Sequence, residues 1–159
     1  MVEFDRTDIK ILSLLQANAG LSNLELAEKV GLSATPCARR VKRLEAEGVI
    51  QQRVTLLDQK TLGLTLTAHI GVTMDRHTPD RFEQFEAAVL DLTEIISCAV
   101  VTGQSADYLL TAVVRDMAHY EQFLLGNLTR IAGVSGVHSS FELRRVVNRT
   151  TLPLPDAAR

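Results

Sequence analysis

Four cations, Arg39, Arg40, Lys42 and Arg43, crowd into five positions of the stretch GLSATPCARRVKRLEAEG at residues 31–48, and no acid lies between Glu28 and Glu45. Such a cluster suits a polyanion: each cation that meets a phosphate releases condensed counterions, and guanidinium forks match base edges in a major groove. Cys37, Val41 and Leu44 recur at i, i+4 and i+7, the spacing of a buried helix stripe. That stripe puts Thr35, Arg39, Lys42 and Arg43 on or near the opposite face, with Arg40 at the flank. Ser33 and Thr35 are both suitable N-caps, and Pro36 falls in the first turn, where its missing N–H costs little. Thr35 and the amides of that turn are free to meet phosphate. The spacing therefore assigns DNA contact to Ser33, Thr35, Arg39, Arg40, Lys42 and Arg43. Arg39 and Lys42 are expected to reach base edges, and Arg40 and Arg43 to hold phosphates. The competing reading is a solvated helix face, the usual state of a charge run.

A second constellation is GQSADY at residues 103–108. Asp107 is suited to an α-ammonium group, and free turn amides to a carboxylate. Gly103, Gln104, Ser105, Asp107 and Tyr108 are expected to form a hairpin turn lining a ligand site at a subunit interface, completed across it by Gly136, Val137 and Ser139. The plain alternative is a Gly/Ser/Asp turn between two strands, with Tyr108 a strand aromatic. The four histidines, His69, His77, His119 and His138, form no HxxxH or HExxH spacing, and Cys37 and Cys98 fit no metal pattern. No metal and no cofactor are expected, and the two cysteines suit a reducing cytoplasm.

Both constellations need elements to hold them. The first third reads as helices. DRTDIKILSLLQAN carries Ile9, Leu12 and Leu15 on one stripe, widened by Ile11 and Leu14. Ser22-Asn23-Leu24-Glu25 is a capping box opening a short helix that Gly31 ends, and the cationic helix follows, ended by Gly48. Helix, glycine turn and cationic helix together describe a helix-turn-helix reader. VIQQRVTLL, from Val49, reads as a short strand or wing, and residues 51–63 as a connector.

From Leu64 the period changes to two. Leu64, Leu66, Ala68, Ile70, Val72 and Met74 alternate with Thr65, Thr67, His69, Gly71 and Thr73. DRFEQFEAAVLDL is a helix with Phe82, Phe85, Val89 and Leu90 inward. IISCAVVTG and Tyr108–Val114 are strands that pair across GQSAD. MAHYEQFLLGNLTRI is a helix with Met117, Tyr120, Leu124 and Leu128 on one stripe. Gly133–Gly136 is a loop, and Val137, Ser139, Phe141 and Leu143 face one way on a last strand. The order strand, helix, strand, strand, helix, strand is the ferredoxin-like βαββαβ arrangement. The fold class is thus α+β: a helix-turn-helix (winged-helix-like) domain at 1–50, the connector at 51–63, a βαββαβ domain at 64–147, and a proline-bearing tail at 148–159, poorly ordered beyond Leu154.

Composition agrees with an ordinary globular chain: 159 residues, 46% apolar and 23% charged. No apolar run approaches the roughly 18–20 residues that span a bilayer, and the acidic, mixed start MVEFDRTDIK lacks a secretory pattern. Net charge is −2, so charge alone points to no nucleic acid; the local cluster carries that case. A four-stranded sheet with helices on one side leaves the other side bare. Ile95, Ala99 and Val101 make that side apolar enough to take a second sheet, so the chain is not expected to be monomeric.

The string GLSATPCARRVKRLEAEGVI closely resembles the amino-terminal domain of the Lrp/AsnC family, the leucine-responsive or feast/famine regulators, and VTGQSADYLL at 101–110 resembles its RAM effector domain. The resemblance spans Phe4 to about Leu152. It implies a transcription regulator that binds double-stranded DNA, assembles from dimers into octamers or larger rings, and answers to an amino acid or related metabolite bound between effector domains. Here three residues, Gln104, Ser105 and Ala106, separate the glycine from Asp-Tyr, where many members have two. Some haem-pathway decarboxylases share the layout, so an enzyme is a second reading, and a ligand-binding oligomer without DNA affinity a third. A catalytic reading needs His, Arg or Tyr converging on a pocket, and no such cluster stands out in the sequence.

Overall fold

The computed structural model describes residues 3–103 and 105–156. The chain divides into two compact units. The first takes in the chain up to Leu56 together with the segment from Val147, and the second runs from Leu57 to Val146. No helix among the described residues is long and apolar enough to cross a membrane.

The first unit is three helices, α1 (Arg6–Ala17), α2 (Asn23–Val30) and α3 (Ala34–Ala46). Each start has a local cause. Asp5 caps α1 in a reciprocal box with Asp8, and Ser22 does the same for α2 with Glu25. Gly31 ends α2 at φ +78°, a left-handed position that costs a residue with a Cβ far more than glycine. Ser33 is the N-cap of α3, with no hydrogen bond from its side chain to the helix. Ile11, Leu12, Leu26, Ala27, Cys37, Val41 and Leu44 form the core. Val49 and Ile50 pack on it, but residues 49–57 form no strand, so the wing read from VIQQRVTLL is absent there. The tail belongs to this unit: Leu154 packs on the same core, and Gln16 pairs with the Leu152 backbone.

The second unit is an antiparallel sheet of β1 (Leu66–Met74), β2 (Ile95–Val100), β3 (Tyr108–Val114) and β4 (Val134–Phe141), in the order β2-β3-β1-β4. Helices α4 (Pro79–Leu90) and α5 (Met117–Gly126) complete it. Ala68, Ile70, Val72 and Met74 of β1 join Tyr108, Leu110, Ala112 and Val114 of β3 in a core with Phe85, Val89, Tyr120 and Phe123. The βαββαβ order is as expected.

Several details differ from the sequence reading. A register shift between Ile95 and Ser97 pairs Ile95 with Ala112, so Ile95 packs on the core rather than the bare face. β4 begins at Val134, inside the expected loop, because Gly136 pairs with Thr73 and a register shift beside it lets Val134 pair with Met74. Leu90 and Met117 sit at helix ends, 86% and 54% exposed, beyond the reach of the sheet. Leu143 follows the end of β4 and is almost fully exposed. Asn127 leaves helical geometry, and Leu128–Arg130 is a 3₁₀ turn.

Candidate DNA-reading helix and effector turn

On α3, successive residues advance by about 100°, so Thr35, Arg39 and Lys42 fall on one stripe and Arg40 and Arg43 on another, beside the core. The structure keeps the two stripes apart. Thr35, Arg39 and Lys42 are exposed and line, with Asn23, Ala34 and Ala38, an open groove of about 520 Å³. Among the described residues, neither Arg39 nor Lys42 has an ion-pair partner within 4 Å, as the pairs of α3 involve Arg40, Arg43 and Glu45. At the head of the stripe the first turn holds no acid, and Ser33 leaves its hydroxyl unspent. The groove therefore presents cations, free hydroxyls and the positive end of a helix, all suited to an anion.

Arg40 and Arg43 lie differently. Arg40 Nη1 donates to Asp5 Oδ2 at 2.7 Å and to Asp8 Oδ1 at 2.8 Å, and Arg43 Nη2 donates to Asp8 Oδ2 at 2.5 Å. The acids missing from α3 come from α1. The Asp8 side chain is only 2% exposed, while Asp5 is half exposed. The Asp8 backbone N–H, and after it Arg40, hold the Asp5 carboxyl below the usual range. The sequence signal for this was an i, i+3 acid pair on one helix and an i, i+3 arginine pair on another, unread because helix spacing alone does not say which helices meet.

In the second unit Ser105–Asp107 folds against the end of β1. Asp107 N–H donates to the Val72 carbonyl at 2.9 Å, and the Thr73 hydroxyl donates to the Ser105 carbonyl at 3.0 Å. A Cβ on Gly71 would come within 3.1 Å of the Ala106 Cβ, so the bare backbone there gives the turn its seat. Gly136 is the β4 partner of Thr73, which brings it beside Ser105. Gln104 lies outside the described residues.

The other expected pocket residues are committed elsewhere. Asp107 accepts the Met74 N–H at Oδ2 (2.7 Å), and His77 Nε2 lies 2.7 Å from its Oδ1. The Met74 N–H, then His77, hold its carboxyl below the usual range. Each oxygen keeps a second lone pair, and the side chain is 18% exposed. Tyr108 is 1% exposed, its ring against Phe82 and Phe85 and its hydroxyl donating to Glu86 Oε1 at 2.9 Å. Burial, then Glu86, raises its pKa. Tyr108 is thus a core residue beneath the turn. Val137 packs on the core, and Ser139 receives the Tyr120 hydroxyl on the helix side of the sheet. Gly103 and Ser105 are exposed at the turn, with Gly136 beside them. Sequence reasoning missed His77, which its place before α4 carries to the turn.

Known proteins bear on both units. Residues 4–51 match the family model described as winged helix-turn-helix DNA-binding, and residues 67–152 match that of the Lrp/AsnC ligand binding domain. The chain is 43% identical over 154 residues to the Bkd operon transcriptional regulator of Pseudomonas aeruginosa, covering 97% of this chain and all of the relative. It is 42% identical over 144 residues to the leucine-responsive regulatory protein of Escherichia coli K12, covering 91% and 87%. A transcriptional regulator of Neisseria meningitidis, solved as a complex with L-Met, superposes with TM-score 0.89 at 43% identity over 94% of this chain and 96% of that one. A three-helix unit with Arg39 and Lys42 turned outward, a βαββαβ domain, and relatives along nearly the whole chain agree: it belongs to the Lrp/AsnC family of DNA-binding transcription regulators.

Proposed function

We propose that α3 reads a duplex through Arg39 and Lys42 at base edges, with Thr35, Ser33 and the first-turn amides on the phosphate backbone. The observation that carries this is the stripe of exposed cations, unpaired among the described residues, leading to a helix start with no side-chain cap bond. Arg39 is suited to a guanine edge by its planar fork, and Lys42 adds a point charge.

The effector is an amino acid. The Neisseria regulator bound to L-Met and the leucine-responsive name of the enteric relative support that class. Its site lies at the turn bearing Gly103 and Ser105, beside Gly136, with Asp107 offering its remaining lone pairs to the ammonium group. Tyr108, Val137 and Ser139 support this surface from the core side. The bare face of the sheet presents His69, Ser97, Ala99, Leu109, His138 and Ser140 to solvent. A second copy covers it, giving a dimer that assembles into an octamer or larger ring in the cytoplasm. A mass near 17.5 kDa at micromolar concentration would contradict that pairing.

The test is a gel-shift titration on DNA upstream of the protein's own gene, with each amino acid in turn. The expected result is a specific, salt-sensitive shift altered by one or two amino acids. A shift that none alters removes the effector assignment. No specific binding in a genome-wide site selection removes the reader.

A further inference from the structure

The four cations of α3 do not share one task. Asp8 is the only charged side chain buried among the described residues, and it holds Arg40 and Arg43 at 2.8 and 2.5 Å as well as the Asp5 N–H at 3.2 Å. We propose that Arg40 and Arg43 are internal counter-ions rather than phosphate ligands, and that Asp8 is a positioning residue that seats α3 on α1 and aims the Thr35–Arg39–Lys42 stripe.

Three observations carry this. The Asp8 side chain is 2% exposed, and a buried carboxylate that loses its partners is left uncompensated, so its two guanidiniums stay with it when α3 meets DNA. The two pairs grip α3 at points one turn apart, which fixes its rotation about its own axis as well as its position. A small rotation would move Arg39 and Lys42 together, and bidentate base contacts tolerate little misplacement. Asp5 adds a second acceptor for Arg40 and reinforces the same seat.

The inference rests on α3 being the reader, and salt dependence tests both separately on the full-length protein bound to a selected duplex. Arg39→Ala and Lys42→Ala report the reader. Each is expected to flatten the log–log salt slope by up to about 0.9 per half-site wherever a phosphate contact is lost, or to relax base preference. If both variants leave slope and preference unchanged, the stripe is not the reader and the positioning role falls with it. Arg40→Gln and Arg43→Gln report the inference. Their slopes are expected to match the parent protein even where affinity falls, and a slope flattened by about 0.9 per half-site in either overturns the counter-ion role.

Asp8→Asn separates positioning from mere stability. Lost folding alone would scale all binding down and leave slope and specificity intact. The expected result is a steeper slope, because Arg43 is released to phosphate while Arg40 keeps only Asp5, with about a tenfold fall in the ratio of specific to non-specific affinity. Unchanged slope and ratio in the folded variant overturn the positioning role. If Asp8→Asn does not fold, Asp5→Asn, at the half-exposed partner, is expected to steepen the slope by a smaller amount, and no change there overturns the role.

Discussion

Gln16 grips the backbone of Leu152 at both ends of its amide: its Nε2 donates to the Leu152 carbonyl at 3.2 Å, and its Oε1 accepts the Leu152 N–H at 2.6 Å. The pair ties the tail to α1 across 136 residues of sequence, and Leu154 packs on the helical core just beyond it. Gln16→Ala removes two solvent-exposed hydrogen bonds and is expected to lower the stability of the helical unit by roughly 1 kcal/mol. The chain holds no tryptophan and two tyrosines, Tyr108 and Tyr120, both in the sheet unit. Tyrosine fluorescence therefore follows that unit alone, while circular dichroism follows both. The variant should shift the helical melting transition and leave the tyrosine transition in place; movement of the tyrosine transition would place the tail's effect elsewhere.

Arg39 is expected to discriminate rather than simply attract. Arg39→Ala should relax preference at one base position by about 1–3 kcal/mol. Competition binding over all single base changes in one half-site checks this. Equal weakening on every sequence would make Arg39 a phosphate ligand.

Asp107 gives the sheet unit an acid sensitivity. Its carboxyl sits below the ordinary aspartate value of about 3.9, because the charged form takes the Met74 N–H and lies against His77. A depressed folded pKa contributes stability that is complete above the ordinary value and is lost as pH falls through the lowered one. Asp107→Asn should therefore be less stable than the parent at pH 7 by about 1 kcal/mol, and the gap should close on acidification through pH 4 and below. Tyrosine-monitored melts across pH read this directly. A gap that widens with acid would reverse the assignment.

Phe85 is fully buried with its ring centroid 4.5 Å from that of Tyr108, the first residue of β3. Phe85→Ala should cost about 3–5 kcal/mol in a urea titration followed by tyrosine fluorescence. A loss below about 1 kcal/mol would mean that α4 does not pack on β3 in solution.

Much of the fold was legible because its causes are local. The Ser22–Glu25 box, the stop at Gly31 and the period-two run to Met74 each depend on residues within a few positions, and each appears as read except that the strand starts at Leu66 rather than Leu64. The same holds for the core face of α3, where Cys37, Val41 and Leu44 are all buried. Ser105–Asp107 does turn against the end of β1, but Gly136 comes beside it within the same chain, where the expectation was a contact across an interface.

Tertiary structure alone decided which charges and which faces were already spent. Asp8 lies 32 residues from Arg40 and 35 from Arg43, and nothing within one helix says that the two acids of α1 meet the two arginines of α3. A single displaced pairing between Ile95 and Ser97 turned Ile95 inward, which alternation cannot foresee because a one-residue slip exchanges the faces of a strand. Tyr108 stands in a turn motif by sequence and in the core by packing. Sequence by itself determined the helices, the βαββαβ order and the family. The chemistry left over for DNA and for a ligand was set by long-range ion pairs and packing, whose partners are chosen only when the chain closes on itself.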